Sequence, residues 1–363
     1  FDELKVPTAP FQFPGSKNYF GLKEMMNSEL DFLKATVLSK SQEDVIMYSD
    51  MPIEEMAKDS EFPKKWMFGM ACMLKKGLHL HQIHQIDRPF AEMMLGLESW
   101  IPIYMTGQVS PFYFKEIKNT VYNHLNYVGG PVFLTGECIE GYHSKGKYRL
   151  SNSNDELKYF KEKASLLLRK ATPLMNIYRE NDKEKFYQFI NEESKKEGER
   201  NRVLSSLPLF TITDKLLIKI LKRENISEQE IEKILKYKNT ELEMAKEILK
   251  SNKINDTIYE VKSKNFDEQN IYLSLENTFC SKKIKYHYKE YLEHLNSTLD
   301  FKKKNRNYNV ILSNVKTFNN IIITSFNDDY VIISKNANPV IHFIIRHPKL
   351  VTAINNFIPL VKE

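Results

Sequence analysis

The sequence has few cysteines, and they show no pairing pattern. Its 363 residues include three, Cys72, Cys138 and Cys280, which lie far apart and form no CxxC pair. An odd number of widely spaced cysteines argues against a disulfide framework and favours a reducing compartment. We therefore expect a cytoplasmic protein with buried thiols.

The sequence also lacks a membrane-spanning run and the common catalytic motifs. A transmembrane helix needs about 18 or more consecutive apolar residues, and the most apolar stretch, MMLGLESWIPIYM, is interrupted by Glu98, Ser99 and Pro102. No nucleophile elbow, Walker loop, GxGxxG or HExxH motif occurs. We expect no membrane association, no metal, no cofactor and no enzymatic activity.

What remains is an ordinary globular composition with a mild positive charge. Apolar residues make up 42% of the chain and charged residues 28%, with a net charge of +6. This length favours two domains or one large duplicated domain. The lysine-rich stretches are more typical of solvated helix faces than of a nucleic-acid surface.

One layout occurs twice along the chain. In each copy an apolar strand, an amphipathic helix and a second strand follow one another without a hairpin signal, which is the βαβ pattern of a parallel sheet. The predicted strands are 44–51 and 78–85 in the first copy and 270–275 and 308–313 in the second. The sequence therefore predicts an α/β fold of duplicated βαβ half-domains with a cleft at the seam between them.

The predicted domain boundaries follow composition. The start of the chain holds Pro7, Pro10 and Pro14, which is typical of an interdomain linker. Between 182 and 252 charge is dense, and Gly198 and Pro208 are the only glycine or proline, which predicts an all-helical insertion. The predicted parts are a linker from a missing N-terminal domain at 1–20, a first α/β half at 21–180, the helical insertion at 181–262 and a second α/β half at 263–363.

Candidate ligand contacts begin on the second predicted strand. On a strand His79 and His81 share one face and His84 points to the other, so three imidazoles cannot converge on a metal without a bulge. The carboxyl ends of parallel strands are where α/β sheets bind ligands. We therefore predict ligand contacts from His81 and His84. The alternative is that these histidines are hydrogen-bonded within the fold.

The segment that follows adds polar groups to an apolar setting, as small-molecule pockets do. It contains Asp87, Arg88, Glu98 and Trp100, which we predict as further ligand contacts. Arg88 can hold a carboxylate or a phosphate through two parallel hydrogen bonds. The alternative is a turn pair between Asp87 and Arg88 beside a core tryptophan.

The repeated unit resembles the half-domain of the phospholipase D-like superfamily, whose active members carry HxKxxxxD in each half. The matching stretch of the second half is Asn314–Lys316, with Ile321 in place of the aspartate, and the nearest match in the first half is His143–Lys145. Neither half has the full set. The resemblance implies a catalytically degenerate fold similar to the sensor domains of sugar-responsive regulators, with Lys316 as a ligand contact. The alternative is a divergent phosphodiesterase that uses His143 and Lys145.

Two long stretches, 48–108 and 331–357, resemble the carboxyl-terminal region of clostridial-type helix-turn-helix regulators of the xenobiotic-response-element class. This resemblance implies the effector-sensing and dimerisation region of a cytoplasmic transcription regulator. The expected partners are a second copy of the chain and an unidentified small-molecule or peptide effector. DNA contact is expected only through the missing N-terminal domain. A protein-interaction scaffold without a small ligand is the remaining alternative.

Overall fold

The computed structural model divides the chain into two compact units, Phe1–Leu174 and Met175–Glu363. The structure describes residues 15–360 apart from 52–55, 57, 87–88, 116–121, 140–141, 262–265, 267–270, 276–277, 279–281, 314–320 and 336–338. Among the described residues, no helix is long and apolar enough to cross a lipid bilayer.

The first unit is built on an eight-stranded mixed sheet with the order β1-β7-β6-β5-β2-β3-β4-β8. Its strands are β1 Ser16–Phe20, β2 Val45–Ser49, β3 Leu80–His84, β4 Val109–Tyr113, β5 Tyr122–Gly129, β6 Val132–Ile139, β7 Lys147–Ser151 and β8 Thr172–Pro173. Its helices are α1 Gly21–Leu38, α2 Phe62–Lys75, α3 Phe90–Tyr104 and α4 Asn154–Lys170.

The central strands of this sheet are parallel, as the sequence predicts. β2 pairs with β3 and β3 with β4 in parallel, and α2 connects the first pair. Successive side chains of a strand point to opposite faces. On β5, Tyr127 packs against Phe32 of α1 on one face, while Val128 on the other joins a cluster that includes Ala164 of α4. Both faces of the sheet are therefore covered by helices.

The second unit is built on a seven-stranded mixed sheet with the order β12-β11-β10-β13-β14-β15-β9. Its strands are β9 Met175–Tyr178, β10 Arg200–Leu204, β11 Ile254–Tyr259, β12 Tyr308–Ser313, β13 Ile321–Phe326, β14 Tyr330–Lys335 and β15 Ile341–Ile345. Its helices are α5 Lys183–Ser194, α6 Asp214–Arg223, α7 Glu228–Ser251, α8 Tyr288–Lys304 and α9 Pro348–Leu360.

The two sheets follow one strand order when β9 is matched with β1 and β10 to β15 with β2 to β7. In both, three strands are parallel and the strands that follow pair antiparallel. However, the strand assignment of the predicted repeat was wrong. β11 takes the place given to 270–275, where the described residues 271–275 form only an isolated bridge between Tyr272 and Lys285. The duplication itself stays a prediction.

The all-helical insertion predicted for 181–262 was also wrong, because β10 and β11 lie within it. The two strands read as polar, RNRVL and INDTIY. Arg202 and Asp256 form an ion pair across them, and the side chain of Asp256 is fully buried. A buried ion pair interrupts the apolar run that marks a central strand. Part of the predicted linker is likewise a strand, since β1 covers Ser16–Phe20 and pairs with β7.

Capping and packing explain the helices of this segment. The side chain of Thr213 accepts a hydrogen bond from the backbone N–H of Leu216 at the start of α6. At the start of α7 the side chain of Ser227 accepts one from the backbone N–H of Glu230. Such caps contribute about 1 kcal/mol each. The apolar face of α6 is buried in the core of the second unit through Leu216, Leu217, Ile220 and Leu221.

Candidate functional site

A polar cluster lies in the first unit where two parallel strands end. Ser49 is the last residue of β2 and His84 the last of β3, and the two are neighbours in the parallel register. Tyr127 of β5 pairs with Met47, two residues before Ser49, and therefore shares their face of the sheet. This is the edge at which α/β sheets bind ligands.

A carboxylate is buried beneath this face. Glu29 of α1 is 3% exposed, and the indole Nε1 of Trp66 on α2 donates a 2.9 Å hydrogen bond to its Oε2. The hydroxyl of Tyr127 faces the same carboxyl group and favours its charged form. Glu29 lies three residues before Phe32 on the same helical face, which packs against Tyr127. The helix therefore fixes the carboxyl group against the sheet.

The buried carboxyl group titrates near neutral pH. Burial raises the pKa of Glu29 from 4.5 to about 7, although the hydrogen bonds from Trp66 and Tyr127 favour the charged form and lower it. Burial and the neighbouring Glu29 raise the pKa of Tyr127 well above its usual value. Tyr127 therefore stays protonated, whereas Glu29 can gain or release a proton near neutral pH.

Aromatic rings cover the cluster. Trp66 and Trp100 of α3 meet edge to face with ring centroids 5.4 Å apart. Trp100 meets His84 edge to face at 4.8 Å and stacks on Tyr104 at 5.8 Å, and the Tyr104 hydroxyl lies 2.6 Å from His84 Nε2. Both indoles are half-buried, whereas Tyr104 and Glu29 are buried. The site thus offers partly exposed aromatic surface above polar groups, an arrangement suited to a small amphipathic ligand.

The structure brings together two of the predicted ligand contacts, His84 and Trp100. His81 lies on the opposite face of the sheet, as the alternation predicts, with its Nε2 3.1 Å from the carboxylate of Asp44 and its ring beside His79. His81 and His84 therefore point to opposite faces of the sheet, and ligand contact by His81 stays a prediction. The remaining predicted contacts fall outside the described residues: Asp87, Arg88, Lys316 and the side chain of Glu98, whose backbone is part of α3.

Five residues of the cluster were missed from the sequence: Glu29, Ser49, Trp66, Tyr104 and Tyr127. They come from separate elements, so no local motif contains them. One signal was present, because Glu29 interrupts the apolar helical stripe formed by Met25, Met26 and Phe32. A carboxylate on the core-facing side of a helix needs a partner, and this marks it as a functional candidate.

The residues of the phosphodiesterase alternative do not occupy matching places. His143–Lys145 forms a 3-10 turn between β6 and β7. Asn314–Lys316 lies between β12 and β13 in the chain, which corresponds to the connection between β4 and β5. The two stretches therefore lie in different connections of the chain, and the phosphodiesterase alternative, which uses His143 and Lys145, stays a prediction.

Comparisons with known proteins leave the family open. No family model and no curated protein matches the sequence. Structures that the chain partly resembles include TrmBL2, described as an archaeal chromatin protein with a novel mode of DNA binding, with a TM-score of 0.31, 12% identity and coverage of 45% of this chain and 55% of that one. Polyphosphate kinase from Porphyromonas gingivalis gives a TM-score of 0.30 and 9% identity, with coverage of 96% of this chain and 50% of that one. NucT from Helicobacter pylori gives a TM-score of 0.29 and 11% identity, with coverage of 44% of this chain and 99% of that one.

The chain spans about half the length of TrmBL2 and of the polyphosphate kinase, at 55% and 50%. Similarities at these TM-scores, all near 0.3, carry no argument about activity or partners. The resemblance to helix-turn-helix regulators and the absence of enzymatic activity therefore stay predictions.

Proposed function

We propose that the first unit binds a small-molecule effector over Trp66 and Trp100, and that the chain is the effector-sensing region of a transcription regulator. The observation that carries the binding proposal is the buried carboxyl group of Glu29 held beneath two half-exposed indoles at the carboxyl ends of β2 and β3. Stacking surface with a few fixed polar groups is the usual composition of a ligand site.

Ligand binding at this place can be transmitted because three helices meet there. Glu29 is on α1, Trp66 on α2 and Trp100 on α3. A ligand that contacts both indoles favours one relative position of α2 and α3, and so shifts the population of conformers. In the regulator that the sequence resembles, this shift would be passed to a helix-turn-helix domain in a homodimer.

The common strand order of the two sheets supports the proposal of a duplicated, catalytically degenerate phospholipase D-like fold. The phosphodiesterase alternative is less favoured, because His143–Lys145 and Asn314–Lys316 stand in different connections of the two sheets. The scaffold alternative differs in its consequence, since it predicts no response of the aromatic site to small molecules.

Intrinsic fluorescence tests the binding proposal directly, because Trp66 and Trp100 are the two tryptophans of the chain. A panel of sugars, phosphosugars, nucleotides and peptides would be titrated into the protein. We expect one class to change the emission with saturation, and Glu29→Gln to weaken its binding at least tenfold. Glu24→Gln, an exposed position of the same helix, is the matched control. A panel without any response would favour the scaffold.

A further inference from the structure

A partly open cavity of about 150 Å³ lies within the second unit. Its floor is one face of the sheet, where Arg202 of β10 pairs with Thr324 of β13 and Thr324 pairs with Ile332 of β14. Its walls are α5 and α7, which contribute Ile190 and Met244 among other side chains. The cavity therefore occupies the space between the sheet and two helices.

The floor of the cavity presents a fixed guanidinium. Arg202 donates from Nε and Nη2 to the two carboxylate oxygens of Asp256, each at 2.6 Å. The hydroxyl of Tyr308 donates to the same carboxylate at 2.6 Å. Asp256 is fully buried while the side chain of Arg202 keeps 19% of its exposure. The guanidinium is thus oriented in advance, and three of its five N–H donors lie beyond the two that bind Asp256 and can bind a second anion.

A carboxylate lies within electrostatic reach on the wall. Glu241 of α7 lines the cavity and accepts a 3.4 Å hydrogen bond from the hydroxyl of Tyr237. Burial lowers the pKa of Arg202, but Asp256, and after it Tyr308 and Glu241, raise it above its usual value. Arg202 and Glu241 thus place a cationic and an anionic group on the lining of one cavity, and a ligand with opposite charges at its ends complements both.

Part of the remaining wall is apolar, while Glu193 and Arg200 add a second pair of charged side chains. Phe186, Ile190, Met244 and Ala245 line the cavity from α5 and α7. Ile190 and Met244 also line an open surface groove between these helices, so the cavity and the groove are neighbours. A volume of about 150 Å³ is below the roughly 300–1,000 Å³ of pockets for drug-sized ligands. The occupant must therefore be small.

We propose that this cavity binds a free amino acid with an apolar side chain. Arg202 holds the carboxylate, Glu241 holds the ammonium group, and the side chain lies against Ile190, Met244 and Ala245. Each polar end of such a ligand finds a fixed partner, which compensates its desolvation in a partly apolar cavity. The proposal shares no residue with the aromatic site of the first unit, so either can fail without the other.

Isothermal titration calorimetry of the whole chain with L-leucine, L-phenylalanine and L-valine tests the proposal. We expect saturable binding of at least one of them. The matching amide, such as leucinamide, lacks the carboxylate, and 4-methylpentanoate lacks the ammonium group. Each should bind at least tenfold more weakly than leucine. Equal binding of leucine and leucinamide would overturn the proposal. So would the absence of binding by any of these amino acids at concentrations up to about 10 mM.

Two variants locate the binding site. Glu241→Gln keeps the side-chain size and should weaken binding at least tenfold. Glu243→Gln, at an exposed position of the same helix that pairs with Lys246, should bind as the wild type does. Ala245→Phe fills the cavity and should abolish binding. Unchanged affinity in Glu241→Gln with a wild-type melting curve would show that the amino acid binds elsewhere. The comparison of leucine with leucinamide decides the question even where a variant is unstable.

Discussion

Replacing Glu29 by glutamine should remove a pH dependence from the stability of the first unit. The carboxyl group is 3% exposed, and its pKa is about 7 in the folded chain against a usual value of 4.5. A glutamine has nearly the same shape, and its oxygen can still accept the hydrogen bond from Trp66. The substitution therefore removes the charge while preserving the packing.

The sign follows from proton binding. Between pH 4.5 and about 7 the folded chain holds a proton on Glu29 that the unfolded chain has released. The stabilising contribution is therefore complete below pH 4.5 and is lost as the pH rises to about 7. A difference of one pH unit between the folded and unfolded pKa corresponds to about 1.4 kcal/mol, so protonation of Glu29 contributes about 3 kcal/mol to the free energy of unfolding. Roughly 2 to 3 kcal/mol of this contribution is lost between pH 5 and pH 8.

Urea unfolding followed by tryptophan fluorescence measures this, because both tryptophans lie in the first unit. Between pH 5 and pH 8 the wild type should lose roughly 2 to 3 kcal/mol more of its free energy of unfolding than Glu29→Gln does. Glu24→Gln, at an exposed position of α1, should show no such change. The reasoning is refuted if the two variants show the same pH dependence.

Three further predictions concern the second unit, with unfolding followed by circular dichroism. Asp256→Asn should destabilise it by about 3–5 kcal/mol, because the guanidinium of Arg202 loses its buried counter-charge. Burial lowers the pKa of His294 from 6.5 to about 3. Stability should therefore fall as the pH drops from 6.5 towards 3, by on the order of 1 kcal/mol between pH 6.5 and 5.5, and His294→Gln should flatten that slope. Thr213→Ala should cost about 1 kcal/mol through loss of the α6 cap, whereas exposed Thr240→Ala should cost less.

Sequence periodicity predicted the parts of the fold in which apolar residues dominate. The strands VIMYS and LHQIH lie within the predicted ranges 44–51 and 78–85, and they pair in parallel. It failed at β10 and β11, where Arg202 and Asp256 stabilise each other inside the sheet. An apolar pattern identifies only those buried strands whose side chains are mostly apolar. A strand that is buried through an ion pair with another strand cannot be recognised from its own sequence, because the partner residue lies far away in the chain.

The candidate site could be predicted only in part for a related reason. His84 and Trp100 were predicted because one ends a parallel strand and the other lies in the segment after it, where ligand sites are common. Their partners Glu29 and Trp66 are on α1 and α2, 37 residues apart, and meet only in the folded unit. Local sequence gives their helices but not the hydrogen bond between them. The charge on the core-facing side of α1 was the one local sign of it.

A pH titration of tryptophan emission tests most directly whether Trp66 and Trp100 cover a carboxyl group that exchanges a proton near neutral pH. Ionisation of Glu29 places a full negative charge 2.9 Å from the indole nitrogen of Trp66. The account predicts a step in emission with its midpoint at about pH 7 in the wild-type chain and the loss of that step in Glu29→Gln. An emission that is flat across neutral pH, or a step that persists unchanged in the variant, would contradict it.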